Sequence, residues 1–405
     1  MTNKDNIKIL ITGGGGYVGS NLVDFFDKSG ALVYPAVTKP AGDRKKIKLD
    51  IREKAQVEKI VKKIVPDIVI HTAALSNLGA CEKDQKLAEK INYFGTKNLV
   101  DAVTRYSKTK FIFFSSDYVF DGAKGNYKET DKPSPLTVYG KTKLAAEEYI
   151  KLKLKNYIIL RTANVFGRGG NFFNFVTELL SRGEEIDVFS DVNFTPTSID
   201  FLISAIATLI TKDFKGIIHI AGKEKVSRYQ FAQKIAKALG VDIKLVKRGK
   251  LLKSGLISKD SSLNTRLLEK TIGTNGPTIE TALNLLLGNT LKPYFEFSDE
   301  RGLIRGVTQG VNWREINYIE TVKGNVRGGH YHKKTNEGFY IIRGRIEITL
   351  EDIKSRRVKT FIAEKGSVFT IKPNTIHTFK VLRNTSWINY LSQPMIDGGD
   401  IHKIE

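Results

Sequence analysis

The chain has 405 residues, 41% hydrophobic and 27% charged, which excludes a disordered chain, a collagen-like repeat and a disulfide-stapled miniprotein. That length exceeds what one hydrophobic core usually serves and points to two domains. The formal net charge of +22 raises the question of nucleic acid, but the excess is spread, +6 from residue 290 onward and +16 before it.

No long Lys/Arg run, helix-turn-helix, aromatic RNP pattern or zinc-finger spacing accompanies the charge, so no nucleic-acid partner is expected. Lys-rich surfaces account for it and are compatible with small anionic ligands. Cys81 is the single cysteine, which rules out an intramolecular disulfide and fits a reducing cytoplasm. Met1 to Lys8 is polar and runs straight into a strand pattern, so no signal peptide is expected. No apolar run approaches the ~18 residues of a membrane span. The expectation is a cytoplasmic protein without a membrane partner.

In chain order, the first half alternates short apolar runs with helical stretches. Lys8 to Ile11, Ala31 to Val37, Asp67 to His71, Phe111 to Ser115 and Tyr157 to Arg161 read as strands. Lys54 to Ile64 and Lys86 to Tyr106 read as helices between them. Apolar strands separated by helices imply a parallel sheet covered on both faces. The pattern continues through the strand Ile217 to Ile220 and the helices Arg228 to Leu239 and Ile279 to Leu287. After residues 288 to 293 the texture changes. Strands follow at Glu315 to Thr321, Gly338 to Ile342, Arg345 to Leu350, Lys359 to Ile362, Ser367 to Ile371, Thr378 to Leu382 and Ser386 to Leu391, with no helix between them. That spacing suggests a sandwich or barrel. The expected domains are 1–288 and 293–405.

Directly after the first strand comes Thr12-Gly-Gly-Gly-Gly-Tyr-Val-Gly19, in which Gly13, Gly16 and Gly19 have GxxGxxG spacing around Tyr17 and Val18. Glycines there permit a tight turn and bring backbone N–H groups close to a pyrophosphate at a helix N-terminus. An NAD site places an acid near the end of the second strand. None occurs from Val33 to Gly42, whereas Lys39 and Arg44 could meet a 2′-phosphate. The cofactor indicated is NADPH, with NADH the alternative. Further on, Tyr139 and Lys143 stand four apart at a helix start and face one side. A neighbouring ammonium would lower the phenol's pKa, and the phenol could give a proton to a carbonyl oxygen as hydride arrives. Ser115-Ser116-Asp117-Tyr118 ends a strand, where a hydroxyl could bond the same oxygen.

On these residues, 7 to about 285 resembles the extended short-chain dehydrogenase/reductase superfamily, and within it the dTDP-4-dehydrorhamnose reductases, which reduce the 4-keto group of a nucleotide-linked deoxysugar. The runs that carry the likeness are Thr12 to Gly19, Ser115 to Gly122, Tyr139 to Lys143, Leu160 to Thr162 and Thr195 to Thr197. The resemblance implies a Rossmann doubly wound α/β fold and catalytic Ser116, Tyr139 and Lys143, with Ser116 where the family commonly has Thr. It implies Asp50 and Ile51 flanking the adenine and Ala73 and Ala74 along the cofactor, with Asp117, Arg161, Asn171 and Thr197 on the substrate side. His71 reads equally as a satisfied strand-end residue and is assigned no chemistry.

The C-terminal part holds Gly324, His330, His332, Glu337 and Gly344 in G-x5-HxH-x4-E-x6-G spacing, which resembles the all-β cupin (jelly-roll) family. Gly366 to His377 resembles the second cupin motif, with Lys372 in the usual Pro place and Asn374 in the usual Gly place. His330, His332, Glu337 and His377 could hold a divalent metal such as zinc, or a His could take a proton alpha to a ketone. Asp299 to Gly302 and Arg327 to His330 resemble a 3,5-epimerase pattern, and Arg301 and Arg327 could meet a nucleotide diphosphate. Reductase followed by cupin resembles the bifunctional capsular polysaccharide enzymes of the CapF family, which implies C3 epimerisation or ketoisomerisation before C4 reduction of a UDP- or dTDP-sugar. Resemblance to cupins also implies a homodimer. The rival reading keeps only the reductase catalytic and makes the cupin a binding or dimerising module. A cofactor-binding regulator that lost catalysis is disfavoured by the intact Ser116, Tyr139 and Lys143.

Overall fold

The computed structural model describes residues 7–40, 45–167, 169–251, 257–287, 290–291, 295–299, 302–306, 313–393 and 400–403. It divides into two compact units, Met1–Ile279 and Glu280–Glu405. The division falls at the start of the helix Ile279–Leu287. The expected boundary lay just after that helix, and Gly288, Asn289, Lys292 and Pro293 of that stretch lie outside the described residues. Among the described residues no helix is long and apolar enough to cross a membrane.

The first unit is built on seven parallel strands. Across the sheet they run Gly216–Ile220, Tyr157–Thr162, Lys110–Ser116, Ile68–His71, Lys8–Thr12, Leu32–Val37 and Ile47–Lys48. Strand order reverses between Lys8–Thr12 and Ile68–His71, and a doubly wound sheet binds ligands at the carboxyl ends flanking such a switch point. The apolar runs are continuous because both faces are covered. Ile9, Ile11, Ile70, Ile112 and Phe114 pack on one side. Leu10, Val69, Phe111, Phe113 and Ile159, the alternate residues, pack on the other.

The second unit is antiparallel. Eight strands join in one sheet, centred on two long ones, Glu337–Asp352 and Thr375–Leu391. The sequence suggested two shorter strands in each of those stretches. The pairs of runs fuse because the interruptions are bulges, not turns. Register shifts at Ile341/Arg343, Arg343/Arg345 and Arg345/Ile346 bend the ladder and let it continue. Gly344 sits there at φ +97°, and a Cβ on it would lie 2.2 Å from Thr385 Oγ1. Phe339, Ile341, Ile346, Ile348, Phe369, Phe379 and Trp387 form this unit's core. A strand at Val326–His332 carries the HxH pair, and no helix occurs among the described residues from 290 on.

Candidate functional site

At the switch point the glycine loop is forced. Gly13 adopts φ +71°, and a Cβ there would meet Ala73 N at 2.7 Å. A Cβ on Gly19 would lie 2.1 Å from Gly13 O. The helix Tyr17–Lys28 is capped by Gly16 with no side-chain cap and no acid in its first turn. Its leading N–H groups and dipole therefore offer an anion seat. Tyr17 turns its hydroxyl inward, buried and without a hydrogen-bond partner, and burial raises its pKa above the ordinary phenol value. His71 is fully satisfied, Nδ1 against Thr12 Oγ1 at 2.7 Å and Nε2 against Thr96 Oγ1 at 2.9 Å. Burial first, then Lys143, holds it down at about 3.

The cofactor-side residues split. Lys39 is exposed just past the second strand, and Arg44 lies outside the described residues. The Asp50 carboxylate is held by Arg52, Nε to Oδ1 at 2.9 Å and Nη2 to Oδ2 at 2.6 Å. Ile51 is buried in the core beneath the sheet edge. Ala73 and Ala74 follow His71 at the strand end, beside the glycine loop.

Ser116 ends the strand Lys110–Ser116, and Tyr139 and Lys143 lie in the first two turns of the helix Val138–Lys153, capped by Thr137. The structure brings the three together. Ser116 Oγ donates to Asp117 Oδ1 at 2.8 Å and lies close enough to the Tyr139 phenol to pull its pKa down against burial. Lys143 is buried, its Nζ donating to Phe114 O at 2.7 Å and standing 5.9 Å from the Tyr139 ring centroid. The expected lowering of the phenol pKa by Lys143 is corrected here. Burial first, then the Asp117 charge, raises Tyr139 above the ordinary value, while burial brings Lys143 itself down to about 7 against the pull of Glu147. Tyr139 is thus a neutral phenol, the state from which a proton can be given.

Asp117 is buried, and burial pushes its carboxyl up against hydrogen bonds from Ser261 and Ser116 and the charge of Arg228. Arg161, expected on the substrate side, is engaged elsewhere. Its Nε and Nη2 bond Glu147 Oε1 and Oε2 at 3.0 and 2.6 Å in a fully buried pair, and Glu147 also accepts from Ser115 Oγ. Thr197 is fully buried with its hydroxyl on Thr195 O. Asn171 begins the helix Asn171–Ser181, and its side chain lies outside the described residues. Glu147 was not singled out from the sequence. Its signal was there, since it lies eight residues after Tyr139 and four after Lys143 on one helix stripe.

The second site gathers His330, His332, Glu337 and His377. His330 and His332 share a face of Val326–His332, and His330 pairs across to His377. Ring nitrogens of the three imidazoles lie within 4.8 Å of one another. Glu337 Oε2 is 3.5 Å from His332 Nε2 and 3.3 Å from His377 Nε2. The other nitrogens fix the tautomers. His332 Nδ1 contacts Asp400 O at 2.8 Å and His377 Nδ1 contacts Thr375 O at 3.2 Å. A carbonyl only accepts, so each Nδ1 carries the hydrogen and each Nε2 presents a lone pair. Acceptor therefore faces acceptor, and His332 Nε2 and Glu337 Oε2 are buried without a hydrogen-bond partner. Burial lowers the imidazoles, His377 to about 3, and raises Glu337 to about 7. Imidazole nitrogens converging with a carboxylate oxygen suit a divalent transition ion. Asn374 sits at φ +63° and donates its N–H to His332 O at 2.6 Å, so the departure from Gly falls on a residue that tolerates this conformation. Arg327 is exposed and bonds Thr321 Oγ1 at 2.6 Å. Arg301 lies outside the described residues.

Residues 7–291 match the family model described as RmlD substrate binding domain. The chain belongs to this family. Residues 297–391 match the model described as Polysaccharide biosynthesis C-terminal domain. Spore coat polysaccharide biosynthesis protein SpsK of Bacillus subtilis is 34% identical over 238 residues, covering 58% of this chain and 80% of that protein. A dTDP-4-dehydrorhamnose reductase of Aggregatibacter actinomycetemcomitans is 32% identical over 233 residues, 56% of this chain and 76% of that protein. The crystal structure of dTDP-4-dehydrorhamnose reductase from Bacillus anthracis in complex with NADP superposes with a TM-score of 0.64 at 29% identity. It covers 69% of this chain and 98% of that one. The N-terminal unit is therefore dTDP-4-dehydrorhamnose reductase-like in sequence and fold.

Proposed function

We propose that the N-terminal unit reduces the 4-keto group of a dTDP- or UDP-linked 6-deoxysugar with NADPH. The observation that carries this is the meeting of Ser116, Tyr139 and Lys143 at the carboxyl ends of the strands beside the glycine loop. When bound, NADPH supplies the hydride. Gly13, Gly16 and Gly19 leave room for its pyrophosphate. Ser116 holds the ketone oxygen, Tyr139 gives that oxygen its phenolic proton, and Lys143 stabilises the phenolate until solvent restores the proton. The spore coat polysaccharide name of the Bacillus subtilis relative supports a role in surface polysaccharide biosynthesis.

The C-terminal unit, on this reading, is a cupin that epimerises C3 or C5 of the same ring or moves its ketone, as the CapF resemblance implies. Its four converging acceptors would hold a divalent ion such as zinc, which would polarise a keto oxygen when bound. The pairing has a chemical logic. A 4-keto group acidifies the neighbouring C–H bonds, so epimerisation must precede reduction, and one chain keeps the intermediate near its trap.

The test is turnover of dTDP- and UDP-4-keto-6-deoxysugars in deuterated solvent. NADPH oxidation lost in Tyr139→Phe supports the reductase, and near-normal oxidation rejects it. Ring deuteration without NADPH supports the epimerase. No deuteration, with unchanged activity in His330→Ala, reduces the C-terminal unit to a binding or dimerising module.

A further inference from the structure

The histidine cluster is completed by a segment that no motif includes. Asp400 reaches back across 68 residues, its carbonyl accepting from His332 Nδ1 at 2.8 Å. Its carboxylate closes over the three residues that follow His332. Oδ1 accepts from Lys333 N at 3.0 Å, and Oδ2 accepts from Lys334 N, Thr335 N and Thr335 Oγ1 at 2.6, 2.8 and 2.9 Å. The strand Ile401–Lys403 then pairs with Val326–His332, Ile401 opposite His332 and His402 opposite Tyr331. The His402 ring stacks on Tyr331 at 5.2 Å. Burial raises the Asp400 carboxyl, but the bonds from Lys334, Lys333 and Thr335 together outweigh it and hold it below its ordinary range.

Three consecutive N–H groups in a turn could be met by water or by a local Asx or Ser residue. Here they are met by a remote carboxylate whose own carbonyl meets the ring nitrogen that faces away from the cluster. The same residue thus holds the loop and chooses the proton's place on His332.

We propose that Asp400 is a positioning residue for the histidine cluster, and that the strap Asp400–Lys403 locks His332 as its Nδ1–H tautomer with the Nε2 lone pair aimed at Glu337. The effect on metal affinity rests on the reading of the cluster as a cation site; the tautomer lock does not. Ring nitrogens of metal-binding histidines are commonly fixed by such an outer partner, and losing it costs about 10–100-fold in affinity.

The test uses the full chain labelled with 15N-histidine, with His332→Ala assigning the resonance. In metal-free protein, His332 should show the Nδ1–H tautomer. Asp400→Ala keeps the main-chain carbonyl but removes the carboxylate that anchors the strap, and so should convert His332 to a mixture while near-ultraviolet circular dichroism stays native. Zinc affinity, read by competition with a chromophoric chelator, should fall about 10–100-fold in Asp400→Ala and less in Asp400→Asn, which keeps one acceptor oxygen. A wild-type His332 in the Nε2–H form, or an Asp400→Ala protein with unchanged tautomer and unchanged zinc affinity, overturns the proposal. If the wild type takes up no zinc, the cation reading of the cluster fails by itself. The tautomer still decides the strap, supporting it if lost in Asp400→Ala and overturning it if kept.

Discussion

The two sites solve opposite problems. At the first, Ser116 bonds Asp117, Lys143 bonds the Phe114 carbonyl, and His71 uses both ring nitrogens, while the buried Tyr17 hydroxyl has no partner. What is left to give is phenolic protons. At the second, the Nε2 lone pairs of His332 and His377 converge on Glu337 Oε2, an oxygen that no donor meets. A site of the first kind delivers a proton, and one of the second kind receives a cation or a proton. The contrast teaches that function can be read from which polar atoms a fold leaves unanswered.

The strongest way to break this comparison is Tyr139→Phe. It should lower kcat by about 10²–10⁴-fold, the usual worth of a placed general acid, with little change in KM for NADPH. Steady-state kinetics checks it, and a fall of less than tenfold would mean the proton comes from elsewhere.

Next comes the buried pair beneath the helix that carries Tyr139 and Lys143. Glu147→Ala strands Arg161, which is 2% exposed. Breaking a buried pair costs about 3–5 kcal/mol, so the urea midpoint of the N-terminal unit should drop sharply. A Glu147→Ala, Arg161→Met double variant should recover much of the loss. A single variant as stable as the wild type would show the pair to be slack.

Lys143 sharpens the picture through pH. Its ammonium, brought down to about 7, is present below that pH and lost above it. The kcat/KM for ketone reduction should therefore decline as pH rises through about 7, and Lys143→Arg, which keeps its charge, should flatten the decline. Stability moves the other way. The unfolded chain binds more protons than the folded one between about 7 and the ordinary lysine value, so Lys143 makes the fold more stable as pH rises across that window. A flat rate profile in the wild type would contradict this.

The smallest effect is expected at Gly344→Ala, which sets a Cβ against Thr385 at a positive φ. Strain of that kind costs about 1–3 kcal/mol, read as a lowered melting temperature of the C-terminal unit. No shift would mean that the bulge relaxes freely.

What was legible in the sequence was local. The glycine loop and the Tyr139–Lys143 stripe lie within one or two helical turns, where spacing fixes direction. The alternation of His330 and His332 likewise sets a shared strand face. Nonlocal pairing was hidden. Arg161 reads as an arginine at a strand end, and only the fold shows Glu147 beneath it. The long strands read as four short ones because a bulge and a turn use the same residues, Gly344 and Arg383-Asn384 among them. Asp400 carries no motif at all, since its partners stand 65 to 68 residues earlier. Tyr139 shows a different lesson: spacing gave its neighbour, while burial and Asp117 set its proton affinity.

The most direct test of the two-site account is product NMR after incubating the intact chain with a nucleotide-linked 4-keto-6-deoxysugar in deuterated water, with and without NADPH. Deuterium is expected at a carbon beside the ketone without NADPH, and a C4 alcohol carrying that deuterium once NADPH is added. An undeuterated sugar that is never reduced would contradict it.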